Sequence, residues 1–325
     1  MTINNQAPFI NFGGGMTFPP PYQQKNARIF AFLLDGKSAN MQALCNQLFN
    51  TPSQGTQDFR PLVSDVLLTF VEMEIYSLQP EARAKGKMIE KDCIFWMTTV
   101  NVKEKLGIPW AQYLALSPAY IYVSNPFAMI TGRDVIGYPK NFANIELPDS
   151  FFAPQQDFSA EILAFSEYGP EQQATWQNAV TATLKTPPSA DKPKTLWKNM
   201  DEALHEIGKL IVHDSSIVIP GMTFLENTIE AFLKKEILQI FMRQFPDTTV
   251  DKAVYQSVQL AKTKINGFRS AGLLDGTYEV NIANLASEPV STDLGVTLGT
   301  QTPKLSFYID FDFIVEAPTI LHKTP

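Results

Sequence analysis

Histidine is nearly missing from this chain. Only His205, His213 and His322 occur in 325 residues. That scarcity argues against a histidine-based metal site, and His205 and His213 are eight residues apart rather than the roughly four of a zinc-protease helix. Cysteine is as scarce. Cys45 and Cys93 cannot build a disulfide framework and read as two reduced thiols packed in a core. No serine stands in a Gly-x-Ser-x-Gly elbow, and neither a Walker loop nor a dinucleotide fingerprint is present. There is no dense Lys/Arg block, and the net charge is −7, which argues against a nucleic-acid partner. No apolar run reaches the ~18 residues of a spanning helix. The opening MTINNQAPFINFGGGMTFPPPY lacks the basic start and apolar core of a signal peptide. The expectation is a soluble, cytoplasmic protein with no membrane partner.

What is present is an ordinary globular composition, 45% apolar and 18% charged, long enough to bury a large core in one or two domains. Residues 1–24, with Gly13–Gly15 and Pro19–Pro21, read as an irregular arm. Ile29–Leu34 reads as a strand, and Ser38 is placed to cap a helix carrying Met41, Leu44 and Leu48 on one face. Val66–Leu78 and Ile94–Val102 are β-branched and aromatic, as antiparallel strands are. Ala143–Leu147 and Asp157–Tyr168 extend this strand-rich pattern. Thr186–Pro193 then breaks the chain. Beyond it Trp197, Met200, Leu204, Ile207 and Ile211 repeat at helical spacing, and Thr223 with Glu226 forms a capping box for a second helix. Strands return at Glu236–Phe245, Tyr278–Leu285 and Leu305–Val315. Ala253–Phe268 fits either a helix or a strand by pattern. In the last strand Asp310 and Asp312 share a face, expected to meet solvent.

One stretch carries chemistry. Thr131–Asn144 reads TGRDVIGYPKNFAN, and Lys140 leaves from a backbone stiffened by Pro139, between Tyr138 and Phe142. An apolar strand-like run, Tyr120–Val123, and the run Phe127–Ile130 lead into it. A lysine pressed into such surroundings loses hydration, which lowers its pKa. A neutral lysine amine adds to a carbonyl and forms a Schiff base.

Gly132-Arg133-Asp134-x-x-Gly137-Tyr138-Pro139-Lys140 resembles the signature of the acetoacetate decarboxylase family. The resemblance implies an α+β fold: a mainly antiparallel β structure closed around a cone-like cavity, with peripheral helices. It also implies one domain over residues 25–325, a helical insertion at about residues 194–235, and a homo-oligomer. It favours a strand for Ala253–Phe268. It makes Lys140 the imine-forming residue and Arg28 the holder of the substrate carboxylate. Its paired glutamates become Glu90 and either Glu72 or Glu74, the register leaving both open. Asn141 stands where the family has a second lysine, so a lowered amine pKa must come from burial or from Arg133 or Arg28, and Asn141 can instead donate a hydrogen bond to substrate. Tyr138 completes the expected substrate contacts. The implied activity is cofactor-free decarboxylation of a small β-keto acid. Lysine-imine aldol or dehydration chemistry on another keto acid such as pyruvate is the alternative, and a non-catalytic small-molecule binding protein on the same fold is a third.

Overall fold

A computed structural model describes residues 8–11, 16–187, 196–212 and 236–324. Among the described residues, fourteen strands are hydrogen-bonded into one continuous network. In chain order they are β1 (Tyr22–Asp35), β2 (Phe59–Ser77), β3 (Met88–Lys105), β4 (Ile108–Val123), β5 (Lys140–Glu146), β6 (Asp157–Ala164) and β7 (Thr175–Thr186). There follow β8 (Leu196–Trp197), β9 (Glu236–Pro246), β10 (Ala253–Leu273), β11 (Thr277–Ile282), β12 (Gly299–Gln301), β13 (Leu305–Val315) and β14 (Thr319–Lys323). Strands β4, β3, β2, β1, β13, β10 and β9 pair in that order, and β9 returns to β4 through the parallel pair Leu116–Gln239. The result is a ring of seven strands, which leaves the long strands without a free edge at this seam. Strand β5 branches from β4 in parallel and starts a second sheet, β5-β6-β7-β11-β12, that lies over part of the ring's outside.

Alternation along each ring strand sets the two faces. On β2, Leu67, Thr69, Val71, Met73 and Ile75 line the interior, while Val66, Leu68 and Phe70 face the second sheet. The layer between ring and second sheet is aromatic. Phe158 of β6 lies 5.0 Å from Phe30, 5.4 Å from Phe32 and 5.2 Å from Phe70, ring centre to ring centre. Cys45 and Cys93 are buried free thiols of the same core, and burial pushes the Cys45 thiol up to about 12.

Several sequence readings need revision. The helix after β1, α1 (Ser38–Cys45), begins with Lys37 at its cap, and no side chain bonds the free amides there; Ser38 is its first residue. The strand favoured for Ala253–Phe268 does form, as part of one long strand, Ala253–Leu273. Asp310 and Asp312 do share a face, but Asp312 is buried and holds Lys25 at 2.8 Å and Arg269 at 2.7 Å, so that face is an ion cluster. Four more helices are described: α2 (Pro80–Arg83), α3 (Pro126–Thr131), α4 (Met200–Val212) and α5 (Val290–Leu294). Helix α4 occupies the first part of the stretch read as helical; the second helix, from Thr223, lies outside the described residues. No helix among those described is long and apolar enough to cross a membrane.

Because Phe158 joins two sheets across one aromatic layer, Phe158→Ala is expected to cost about 3–5 kcal/mol. Urea unfolding followed by circular dichroism measures this; a cost under about 1 kcal/mol would contradict the packing described.

Candidate active site

The turn before β5 explains the glycines of the motif. Pro126 opens α3, and the Asn125 side chain accepts from the amides of Phe127 at 3.0 Å and Ala128 at 3.3 Å. The helix then widens through Gly132–Ile136 into a five-residue turn that ends at Gly137, whose φ of 105° suits glycine. Gly137 also presses on Arg243, so that an added Cβ would lie 2.5 Å from the Arg243 Cβ. Gly132 is the floor under the lysine. A Cβ there would lie 2.5 Å from Lys140 Cδ and 2.8 Å from Cε.

Lys140, the first residue of β5, therefore runs its stem over Gly132 and into the ring. Its side chain is 9% exposed, and Nζ donates to Glu90 Oε1 at 2.5 Å, with Glu90 wholly buried. Asp92 is the inward residue two positions along β3 and is buried as well. Burial, then the Glu90 carboxylate, holds the Asp92 carboxyl well above the usual carboxylate range. Among the described residues, Asp92 Oδ1 and the Thr131 hydroxyl are buried with no hydrogen-bond partner.

This inverts the expected electrostatics of the amine. Burial pulls the Lys140 pKa down, but Glu90 and Asp92 together outweigh it and hold the ammonium above the ordinary lysine value. Burial is legible in the sequence; of the two carboxylates inside the same hollow, the family resemblance points to Glu90 and not to Asp92. The spacing Glu90-x-Asp92-x-Ile94-x-Trp96 carried the signal, since alternate residues of a strand share a face.

The cavity beside Lys140 has a volume of about 170 Å³. Its polar groups include Gln24, Asp92, Tyr138, Gln239 and Thr263. Tyr138 donates to Gln239 Oε1 at 2.6 Å, and Gln239 Nε2 donates to Thr263 Oγ1 at 2.9 Å. Burial raises the Tyr138 pKa, keeping the phenol a proton donor.

Other expected site residues lie elsewhere. On β1 the register slips by one between Gln24 and Ala27, around Asn26 with φ 54°. Such a bulge exchanges the two faces of a strand: Gln24 faces in before it, Ile29 and Ala31 face in after it, and Arg28 faces out. Arg28 pairs with Glu72 and donates to the Pro148 carbonyl at 3.1 Å. Glu74 pairs with Lys87 at 2.7 Å, also on the outside. Neither glutamate of β2 nor Arg28 lines the cavity, and that reading is corrected. Asn141, next to Lys140 in an extended strand, points the opposite way. It donates to Glu288 Oε1 at 3.3 Å in an outer cleft of about 610 Å³ that Arg133 also lines. Asn141 and Arg133 thus sit apart from the Lys140 tip. Among the described residues, no group of His, Cys, Asp or Glu is arranged to hold a metal ion.

Comparison with solved structures agrees with this architecture. An acetoacetate decarboxylase from Legionella pneumophila matches with a TM-score of 0.56 and 11% identity, over 98% of this chain and 94% of that one. The enduracididine biosynthesis enzyme MppR, solved complexed with pyruvate, matches at 0.53 and 12%, over 95% and 93%. An acetoacetate decarboxylase-like enzyme from Sphingomonas wittichii matches at 0.53 and 11%, over 94% of each chain. No family profile and no curated protein sequence matches. The chain has the acetoacetate decarboxylase-like fold.

Two outcomes follow from the geometry. Gly132→Ala pushes the Lys140 stem aside and is expected to slow carbonyl labelling of Lys140 by about 10²-fold, the scale of a 1 Å displacement, with circular dichroism unchanged; unaltered labelling would contradict the packing. Asp92 binds its proton more tightly folded than unfolded, so its burial costs stability as pH rises above about 4. Asp92→Asn is therefore expected to raise Tm at about pH 8 by several degrees, with the gain fading toward about pH 4; a lower Tm at the higher pH would contradict it.

Proposed function

We propose that the chain is a Schiff-base-forming lyase that decarboxylates a β-keto acid through an imine on Lys140. The observation that carries this reading is the contact between the buried amine and the Glu90 carboxylate inside an otherwise apolar cavity. A lysine with an unperturbed pKa near 10.4 is protonated at neutral pH and cannot attack. Here the proton need not leave the site. It moves from Nζ to Glu90 as the nitrogen lone pair adds to the ketone carbon, and the carbonyl electrons pass to oxygen, which takes the Asp92 proton.

The nitrogen returns a proton to Asp92, Glu90 protonates the hydroxyl, water leaves, and a protonated imine remains. Electrons of the bond to the carboxylate flow into the imine, carbon dioxide departs, and an enamine is left. Asp92 protonates the enamine carbon, water hydrolyses the new imine, and Lys140 is released as an ammonium. The cycle consumes one proton, which Asp92 takes up from solvent. General acid–base steps of this kind are each worth typically 10²–10⁴-fold. The apolar walls favour the step in which an anion becomes neutral carbon dioxide.

A second reading is imine chemistry on another keto acid without loss of carbon dioxide, supported by the pyruvate complex of MppR. Sodium borohydride added with acetoacetate or pyruvate separates the possibilities. A reduced adduct mapped to Lys140 by mass spectrometry is expected, and gas release from the β-keto acid assigns decarboxylation. Adducts without gas assign the second reading. No adduct with either compound removes both and leaves a binding protein.

A further inference from the structure

Helix α4 contributes apolar side chains to the cavity wall away from the lysine, beside Ala31, Leu67 and Phe307. Leu204 and Ile207 are buried and line the same cavity as Lys140. The helix is fixed at its start. The Asn199 side chain accepts from the Glu202 amide at 2.9 Å, and Glu202 accepts from the Lys198 amide at 2.8 Å, a reciprocal cap. Trp197 of β8, just before it, pairs with Ala271 of β10 and packs among the same buried residues as Ile207.

The cavity between lysine and helix is long and sorted by polarity. Glu90 pairs across the sheet with Met73, and Trp96 pairs with Leu67. From Met73 to Leu67 the lining therefore covers roughly 20 Å of strand at ~3.3 Å per residue. Polar groups gather near Lys140, where Tyr138, Gln239 and Thr263 form one hydrogen-bonded chain. Toward α4 the one polar pair satisfies itself: Trp96 Nε1 donates to Thr69 Oγ1 at 3.0 Å. Beyond it the walls are Ala31, Leu67, Phe307 and the two α4 residues. A substrate with only a methyl group beside its ketone would leave this apolar part uncontacted.

We propose that the substrate class is a β-keto acid carrying an unbranched alkyl tail of medium length, that the tail runs from Lys140 toward α4, and that Leu204 and Ile207 set the length accepted. The tail assignment rests on the lysine-imine reading for the head group, and on the cavity alone for the tail. Each buried methylene contributes about threefold to fourfold in affinity, until the tail meets the helix.

The experiment uses the full chain and two readouts. Equilibrium binding of acetone, 2-pentanone, 2-heptanone and 2-nonanone is measured by calorimetry on the wild type and on Lys140→Met, which cannot form an imine. Borohydride labelling of Lys140 and turnover of acetoacetate, 3-oxohexanoate and 3-oxooctanoate are followed in parallel. Affinity is expected to rise about threefold per methylene in both proteins, and kcat/KM to rise with tail length in the wild type. Leu204→Trp is expected to move the optimum to shorter tails, and Ile207→Ala to longer ones. Length-dependent binding without any Lys140 adduct would keep the tail site and remove the imine reading. Adducts or turnover with no length dependence, or an optimum that both α4 variants leave in place, would overturn the tail site while sparing the imine. Failure of both readouts would overturn both.

Discussion

A single buried contact, the Lys140 ammonium against the Glu90 carboxylate at 2.5 Å, governs this site. Two opposite charges taken from water cost several kcal/mol each before their attraction returns any of it. A fold that keeps such a pair inside an apolar ring gains little stability from it compared with a hydrophobic pair of the same size. Its chemical consequence is larger. In the proposed mechanism a proton crosses between nitrogen and oxygen without reaching solvent, and the amine becomes nucleophilic while its overall affinity for protons stays high. Desolvation by itself would have lowered the pKa of the amine; the carboxylates oppose it, and the proposed mechanism uses them as a proton relay. In that proposal the acid is Asp92, whose carboxyl burial and then Glu90 hold well above the usual carboxylate range.

The surrounding architecture aims this pair. The ring brings β3 and β4 side by side, and β5 leaves in parallel from the end of β4, with Lys140 beside Ile121. The tight turn at Gly137 and the bare backbone of Gly132 let a long side chain bend inward through space that a Cβ at position 132 would fill. The motif is thus a mechanical device: two glycines and a proline aim one lysine. Its neighbour Asn141 is sent to the other face by strand alternation, so its identity bears on the outer cleft and on Glu288 rather than on the charge of the amine.

How much of this was legible depended on whether a local rule sufficed. Strand and helix types followed from period and composition. The buried Lys140–Glu90 contact joins two residues that the motif and the order of elements single out. Arg28, Glu72 and Glu74 were misplaced for reasons a linear reading misses. The bulge at Asn26 shifts one strand by a residue and exchanges its faces. Beyond it Arg28 and Glu72 become partners on the outside. In β2 the apolar residues, not the charged ones, face inward, because the hollow itself is apolar. Asp312 was read as solvated because its partners Lys25 and Arg269 lie 287 and 43 residues away. The role of α4 as a cavity wall depends on packing between distant elements, and no period in the sequence announces it.

The central claim is that Glu90 keeps the proton on Lys140. The most direct measurement is the titration of the Lys140 side chain by NMR of ¹³C-labelled lysine, in the wild type and in Glu90→Gln, from about pH 6 to about pH 11. The wild-type midpoint is expected to lie above that of an ordinary lysine, because Glu90 faces the amine. In Glu90→Gln, where burial is no longer opposed by that charge, the midpoint is expected to fall. An unchanged midpoint in Glu90→Gln, or a wild-type amine already neutral near pH 7, would contradict the account.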